Sequence, residues 1–322
     1  MTSAGPSTPT EPTSHGTAPS TDDTSGVRIG IAAYLIWGLL TVYWKRLSAF
    51  SALELIGWRM VCAGVVMAVI TTARSQWPTI VAALRDTVTL RRLAVAAVLL
   101  TVNWGSYVWA VTNDRVIETA LGYFMAPLGT MAIGVYVLRE TPTTAQRVAF
   151  GLAAAAVVVL TVSYGRPPWI ALLLAGSWSL YGLTKRRVGL DAVNSLAGET
   201  FVLVLPAAVL VVALSGRADS VVSSADALDW MFVLGTGLIT AVPLMLFASA
   251  AQSIPFTLLG PLNLIVPIIN FGLGWAVYGE DMPLDRMIGF SIVWVALVVV
   301  IWDRFRVAHE ARLSTRAVPV AH

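Results

Sequence analysis

Ten apolar runs, each long enough or nearly long enough to cross a lipid bilayer, dominate the sequence after residue 26. They cover residues 28–44, 54–73, 93–112, 117–138, 147–163, 168–184, 194–214, 230–250, 255–278 and 285–302. A bilayer core takes about 20 apolar residues per helix, and backbone polar groups find no water partners there. The sequence therefore predicts an all-α integral membrane protein with ten transmembrane helices and the lipid bilayer as its surroundings.

The composition excludes several classes of soluble protein. Of the 322 residues, 57% are hydrophobic and 12% are charged, whereas a soluble domain carries about 25% charged residues. The 21 Lys and Arg exceed the 18 Asp and Glu by only three, an excess that membrane topology explains better than nucleic acid. We therefore expect no nucleic-acid partner. A glycine-rich phosphate loop is also missing from the sequence, so no nucleotide is expected.

Residues that commonly bind metals or act in catalysis are scarce in the apolar part of the sequence. Cys62 is the single cysteine, and His15, His309 and His322 all lie in polar terminal segments. The sequence therefore predicts no metal site, no cofactor and no catalytic residue, and indicates that the protein is not an enzyme. A membrane-embedded enzyme is the disfavoured alternative.

Two polar segments need separate interpretation. Residues 1–26 contain 19 Ser, Thr, Pro or Gly residues, a composition that predicts a disordered tail because it cannot bury enough apolar surface. The segment 74–92 combines apolar residues with Arg85, Arg91 and Arg92. This pattern fits an interfacial amphipathic helix, and an ordinary loop fits it equally well.

The distribution of Lys and Arg predicts the orientation in the membrane. With ten crossings, both termini lie on one side, and that side receives 14 Lys and Arg against six on the other, with Arg59 inside a run. Basic residues concentrate in cytoplasmic loops. We therefore expect a multi-pass membrane protein with both termini in the cytoplasm.

The two halves of the sequence match at an offset of about 140 residues. Pro127 and Gly134 lie 13 and six residues before Glu140, and a second Pro and Gly stand at the same distances before Glu280. Trp37 before Lys45-Arg46 likewise matches Trp178 before Lys185-Arg186. The implied organisation is a cytoplasmic tail at 1–26, a first five-helix repeat at 27–164, a second at 165–303 and a cytoplasmic tail at 304–322.

An odd number of helices per repeat makes the second copy enter the membrane from the opposite side. Such inverted repeats are typical of secondary transporters, whose substrate site lies near the midplane between the repeats. The predicted function is therefore secondary transport of a small molecule by alternating access. A passive channel, a non-transporting scaffold or sensor, and a purely structural duplication stay open as alternatives.

Two charged residues inside apolar runs are candidates for substrate binding or coupling. Arg59 lies in the second run and Glu199 in the seventh, at equivalent positions of the two repeats. Charges within the bilayer are costly and commonly functional. Arg59 either reaches the lipid headgroups as an anchor or binds an anionic substrate group. Glu199 either has a structural role or carries a proton coupled to transport.

Polar and aromatic residues deeper in the runs complete the predicted site. Asn103 aligns with Pro243 at the repeat offset. Proline frees a backbone carbonyl, so helix breaks or gating points are expected at Pro127, Pro243 and Pro267. Aromatic residues near the ends of runs fit an interfacial belt: Trp44, Trp77, Trp169, Trp230 and Trp302. Deeper aromatic residues either line an apolar substrate cavity or serve ordinary helix packing: Trp37, Trp104, Trp109, Tyr123, Phe124 and Trp178.

Several short motifs, in order, resemble the RarD family within the EamA group of the drug/metabolite transporter superfamily. The motifs are Tyr34, Trp37-Gly38, Arg59, Asn103-Trp104, Trp109-Ala110-Val111, Leu121-Gly122-Tyr123-Phe124, Pro127-Leu128, Arg139-Glu140, Pro243-Leu244, Gly279-Glu280 and Trp294-Val295-Ala296-Leu297. The resemblance covers about residues 27–303. It implies ten helices in two inverted five-helix repeats, in the bacterial cytoplasmic (inner) membrane with both termini inside. It also implies efflux of metabolites, amino acids or drugs, and we therefore expect an exporter of small amphipathic metabolites or drugs.

Two positions depart from that family pattern. Ala126 stands where the family usually has Asn, and Trp58 stands where it often has His. A polar contact of the family's cavity is therefore expected to be absent from this chain.

Overall fold

A computed structural model describes residues 21–253 and 262–316, and these residues form helices joined by short loops, with no strand among them. The predictions for residues 1–20, 254–261 and 317–322 lie outside the described residues. The helices are α1 (Thr21–Arg46), α2 (Ala52–Ala73), α3 (Trp77–Arg85), α4 (Thr87–Thr112), α5 (Val116–Tyr136), α6 (Thr144–Tyr164), α7 (Trp169–Val188), α8 (Ala192–Leu214), α9 (Val221–Ser224), α10 (Ala227–Ser253), α11 (Ile265–Gly272, followed by a π-helical turn, Leu273–Val277) and α12 (Leu284–Arg316).

Eight of these helices are long and apolar enough to cross a membrane, namely α1, α2, α4, α5, α6, α8, α10 and α12. They coincide with eight of the ten predicted runs. The run at 168–184 corresponds to α7, whose apolar stretch includes Trp, Ser and Tyr and which ends in Lys185, Arg186 and Arg187. The described part of the run at 255–278 is the shorter apolar helix Ile265–Val277. The protein is therefore an all-helical, multi-pass membrane protein.

The segment 74–92 is helical rather than a loop. It forms α3 and the first turns of α4, with Asp86 between them as the N-cap of α4. Trp77 stacks on Phe201 of α8 with ring centroids 5.4 Å apart, and Ile80 is buried beneath α3. Most other side chains of residues 74–92 are exposed, which fits an interfacial amphipathic helix.

Contacts between helix ends define two ends of the bundle. At one end, called the Lys45 end, Ser51 N–H donates to Asp219 O at 3.3 Å, which joins the start of α2 to the loop after α8. At the other, called the Lys185 end, Arg92 donates to Arg187 O at 2.5 Å, and Thr143 donates to Asp303 at 2.9 Å. Consecutive long helices therefore run in opposite directions between the two ends.

Small residues allow the helices that surround the bundle centre to approach closely. A Cβ placed on Gly122 of α5 would lie 2.8 Å from the Leu174 Cβ and 3.1 Å from the Ala171 Cα on α7. Only glycine fits at such a distance, because real Cβ atoms do not approach other carbons so closely. The α5–α7 contact therefore depends on backbone proximity, a common solution between membrane helices.

The predicted helix breaks at two prolines are wrong. Pro127 lies inside α5 and Pro243 inside α10, and both helices continue past them. Proline removes one backbone donor, and the neighbouring helices of a bundle can hold the remaining turns in place. Pro267 lies near the start of α11, whose last turn changes to a π-helix over Leu273–Val277. A gating role of the three prolines stays a prediction.

Candidate functional site

A cavity of about 600 Å³ lies in the middle of the bundle. It is lined by residues of α1, α2, α4, α5, α7, α8, α10 and the start of α11. Gly182 and Ala192, both exposed, and the partly exposed Lys185 line it near the Lys185 end. Its deepest residues include Leu40 and Tyr107, which are buried. The cavity therefore opens towards the Lys185 end and is closed beyond the middle of the bundle.

Eight aromatic side chains of the described residues line the cavity. Tyr34, Trp37 and Phe247 form one cluster, with ring centroids 5.4 to 5.9 Å apart. Trp178 and Tyr181 form a second, 5.9 Å apart on α7. Aromatic rings of this kind offer large apolar contact surfaces with polar edges. Such a wall suits an amphipathic small molecule rather than a hydrated ion.

Arg59 is the buried charge of the cavity. Its side chain belongs to α2, is 3% exposed and lines the cavity wall. The guanidinium carbon lies 3.7 Å from the ring centre of Trp104 and 5.4 Å from that of Trp44, and Nε donates to Thr240 Oγ1 at 3.0 Å. None of the described residues forms an ion pair with it. Arg59 therefore contributes an uncompensated positive charge to the cavity.

Trp44 does not lie in the interfacial belt that the sequence predicts. Trp44 is fully buried, next to Arg59. By contrast, Trp77, Trp169 and Trp302 are at least 40% exposed. Trp44 lies near the end of α1, but its side chain packs against other helices inside the bundle. The belt prediction is therefore wrong for Trp44.

Glu199 lies beside the cavity mouth in a buried ion pair. Its carboxylate accepts from Lys185 Nζ at 2.7 Å, from Ser195 Oγ at 2.9 Å and from Tyr181 Oη at 3.1 Å, and the residue is 1% exposed. Lys185 and Tyr181 line the cavity, whereas Glu199 stands behind them. Unlike its repeat partner Arg59, Glu199 is therefore neutralised by a neighbouring charge.

The remaining predicted residues divide between the cavity and the packing around it. Trp37, Trp104, Tyr123 and Trp178 line the cavity with Arg59. Asn103 is 1% exposed and donates to Leu174 O and Ser177 Oγ, both at 3.0 Å, so that it joins α4 to α7. Phe124 packs on Trp294 of α12 and Trp109 on Trp169 of α7, both away from the cavity lining.

Several residues of the site were not predicted from the sequence. Tyr34, Tyr107, Tyr181, Phe247 and Lys185 also line the cavity. Below it, Thr41 Oγ1 contacts Tyr107 Oη at 2.7 Å and donates to Asn270 at 2.8 Å. A signal for Lys185 existed, because Lys45 occupies the equivalent repeat position. Asn270 was detectable as an amide within an apolar run.

Ion pairs close the Lys45 end of the bundle. Lys45, on α1, forms an ion pair with Asp114 after α4, and its Nζ also donates to Val111 O at 3.3 Å. Arg46 pairs with Asp229 of α10 at 2.8 Å. These contacts join the end of α1 to two other helices, so that they hold this end of the bundle together.

Two carboxylates bind helix N-termini at the same end. Glu280 accepts from the backbone N–H groups of Val116 at 2.5 Å and Ile117 at 2.9 Å, at the start of α5. Burial raises the pKa of the Glu280 carboxyl, and the two N–H donors act in the opposite direction. Glu54 accepts from Ser220 Oγ and Val221 N, both at 3.0 Å, at the start of α9. Such carboxylates satisfy unpaired N–H groups and complement the helix dipole.

The groups that line the cavity are suited to binding a small molecule. In residues 21–253 and 262–316, no group of three or more His, Cys, Asp or Glu residues is placed to hold a metal ion. The polar groups of the described residues that line the cavity are one guanidinium, one lysine in an ion pair, phenols, indole N–H groups, the Thr130 hydroxyl and an amide. These groups can bind an amphipathic molecule by stacking, hydrogen bonds and one ionic contact.

Comparison with known proteins gives consistent matches over most of the chain. A model of the EamA-like transporter family matches residues 24–162 and again residues 167–302. The chain is 42% identical to Protein RarD of Streptomyces exfoliatus over 91% of this chain and 93% of that protein. It is 32% identical to Protein RarD of Escherichia coli (strain K12), over 86% of this chain and 94% of that protein.

A further relative and a solved structure extend the comparison. An uncharacterized transporter of Bacillus subtilis (strain 168), YojE, is 32% identical over 88% of this chain and 97% of its own length. One protein of known crystal structure, 18% identical, superposes with a TM-score of 0.56 over 86% of this chain and 97% of that chain. That likeness shows a shared fold.

Proposed function

Because the chain belongs to the EamA-like transporter family, we propose that it is a secondary transporter that exports small amphipathic metabolites or drugs by alternating access. The observation that carries the proposal is the aromatic cavity of about 600 Å³, open at one end of the bundle and closed at the other. A site near the midplane, accessible from one side at a time, is what an alternating-access cycle requires.

The proposed architecture has ten crossings in two inverted five-helix repeats at 27–164 and 165–303. The family model matches the chain twice, over ranges close to these, which supports the duplication. In addition to the eight apolar helices, α7 and α11 with its π-turn supply the sixth and ninth crossings. The alternating helix directions support an inverted relation between the repeats, since each repeat has an odd number of crossings.

The packing of the helices also supports the inverted repeat. An offset of about 140 residues pairs α1 with α7, α4 with α10, and α5 with α11. Correspondingly, α1 packs against α10 and α11, while α7 packs against α4 and α5. The pairs α2–α8 and α6–α12 each join two equivalent helices, as expected around a two-fold axis.

One difference between the repeats supports alternating access. At the Lys45 end, α1 contacts α4 through the pair Lys45–Asp114 and the Thr41–Tyr107 hydrogen bond. In the described residues the equivalent helices α7 and α10 pack less closely against each other, and Tyr181 and Phe247 face the cavity between them. If the two repeats exchange conformations, the Lys185 end closes and the Lys45 end opens.

The direction of transport follows from the orientation predicted by Lys and Arg. That prediction places the Lys185 end in the cytoplasm of a bacterial inner membrane. The cavity then opens to the cytoplasm, where a metabolite or drug can enter it. Opening of the Lys45 end would release the molecule outside, which supports export as the proposed direction.

Proton coupling through Glu199 is the proposed energy source. Its carboxylate is bound by Lys185 at the cavity mouth, so that a change of its protonation state would weaken this pair. Replacement of Glu199→Gln is expected to flatten the pH profile of transport, because Gln cannot bind a proton in this range. Transport by vesicles is measured across pH, with Glu118→Gln as the control. Glu118 also holds a buried ion pair, with Arg166 at 2.5 Å, but it lies at the Lys45 end and outside the cavity lining. An unchanged rate and pH profile would remove Glu199 from the mechanism.

Reconstitution into vesicles tests the proposed function and its alternatives. A panel of amphipathic compounds, with and without a pH gradient, is expected to give saturable flux. Trp37→Ala, in the cavity, should raise the half-saturating concentration several-fold, since an aromatic contact is worth about 0.5–1.5 kcal/mol. Trp302→Ala is the matched control, because Trp302 is 73% exposed on the outer surface. Flux that does not saturate indicates a channel, and absence of flux indicates a scaffold or sensor.

A further inference from the structure

The charges around the cavity do not balance. The cavity-lining residues of the described part include Arg59 and Lys185 as cations and no Asp or Glu. Lys185 is neutralised by Glu199 at 2.7 Å. Arg59 has no such partner in the described ranges, and only its Nε is hydrogen-bonded to a described residue. The cavity therefore holds a net charge of one guanidinium.

A lone buried charge is costly, and its surroundings here compensate it only in part. Trp104, 3.7 Å away, supplies a cation–π contact, which is worth less than an ion pair in a site shielded from water. Because Arg59 lines the cavity, the unpaired edge of its guanidinium is available to a molecule inside. A planar anion with two oxygens matches that edge, since guanidinium and carboxylate pair through two parallel hydrogen bonds.

We infer that the transported substrate carries a carboxylate, bound by Arg59, attached to an aromatic or similarly flat apolar group. This inference rests on the proposed transport function. Trp37, Tyr34, Phe247 and Trp178 supply ring surfaces for the apolar group. A single free cation favours a monovalent carboxylate over a doubly charged phosphate, which would leave one negative charge uncompensated in the bilayer.

Binding of matched pairs of compounds to the purified wild-type protein tests the inference. The probes are indole-3-acetate with indole-3-acetamide, and phenylacetate with phenylacetamide. The members of each pair have nearly the same shape and differ in charge. We expect the carboxylates to raise the melting temperature of the protein more than the amides do. The carboxylates should bind at least about tenfold more tightly, because hydrogen bonds between two charged groups are stronger than those to a neutral amide.

Variants assign the effect to Arg59. Arg59→Gln should weaken carboxylate binding about tenfold or more and leave amide binding nearly unchanged. Arg59→Lys should recover part of the affinity, because it restores the charge without the planar fork. Arg217→Gln is the control, since Arg217 is exposed and lies in the loop after α8. The comparison of wild-type ligands remains decisive if an Arg59 variant does not fold.

Each outcome decides between charge recognition and transport. Equal binding of carboxylates and amides, or binding of neither, overturns the inference. Saturable vesicle flux of neutral compounds without flux of the carboxylates also overturns it, while the proposed transport function stands. Selective carboxylate binding without flux of any compound supports the anion site and contradicts the transport function.

Discussion

A cross-link between the ends of α1 and α4 is expected to reduce transport almost to the background of empty vesicles. The test joins Lys45→Cys to Asp114→Cys with a short, cleavable thiol cross-linker in a Cys62→Ser background. Lys45 and Asp114 form an ion pair at the closed end of the bundle. Alternating access requires this end to open in every cycle, so that a covalent link blocks release of the substrate. Reductive cleavage of the linker should restore flux.

Two controls separate the block from general damage. Each single cysteine variant is treated with the same reagent and should keep its flux. A second pair, Thr143→Cys with Asp303→Cys, links α6 to α12 at the Lys185 end, where the two side chains bond at 2.9 Å. Both helices lie outside the cavity lining, and their cross-link should leave transport in place. Flux that persists when residues 45 and 114 are fully cross-linked would show that transport does not require the Lys45 end to open.

Removal of the Glu280 carboxylate is expected to open the Lys45 end. Glu280→Ala leaves the N–H groups of Val116 and Ile117 without their acceptor. Two charge-assisted hydrogen bonds in a partly exposed site are worth about 2 kcal/mol together, which is roughly a 30-fold shift between closed and open states. The variant should therefore spend much more time open at this end.

The shift is measured by labelling a cysteine deep in the cavity. The cysteine is introduced as Leu40→Cys in the Cys62→Ser background. Leu40 is 6% exposed and lies at the bottom of the cavity. A membrane-impermeant maleimide should react faster from the Lys45 side once Glu280 is replaced. Glu140→Ala, the repeat equivalent, is the control and should not raise labelling from that side. Equal rates in parent and Glu280→Ala would show that Glu280 does not hold the end closed.

Much of the cavity lining could be predicted, because polar and aromatic residues stand out within the apolar runs of a membrane protein. Trp37 and Trp178 occupy repeat-matched positions away from the ends of their runs, and both line the cavity. Arg59 was detectable as a charge within an apolar run. Eight crossings followed from run length and hydropathy alone.

The direction in which a side chain faces was less predictable. Phe124 follows Tyr123 directly, but the step of about 100° per residue in a helix turns it towards Trp294 instead of the cavity. Trp44 has the depth of an interfacial residue and the orientation of a buried one. Depth can be read from distance to the end of a run, whereas orientation depends on which helices become neighbours.

The difference between Arg59 and Glu199 could not come from their equivalent positions. Arg59 lines the cavity, while Glu199 is bound by Lys185 and Tyr181 behind its wall. The two ranges that the family model matches differ at the two ends of the bundle, one closed by ion pairs and the other open to the cavity. The sequence pattern reveals what the two halves have in common. It therefore cannot predict which end of the bundle is open.

The most direct test of alternating access is a pair of spin-label distances in lipid nanodiscs. One pair, at Ser48 and Asn113, spans α1 and α4 at the Lys45 end, and the other, at Arg186 and Ser249, spans α7 and α10 at the Lys185 end. Both pairs are measured in the Cys62→Ser parent and in Glu280→Ala. The account predicts that the variant lengthens the 48–113 distance and shortens the 186–249 distance. Two distances that stay the same, or that change in the same direction, would contradict it.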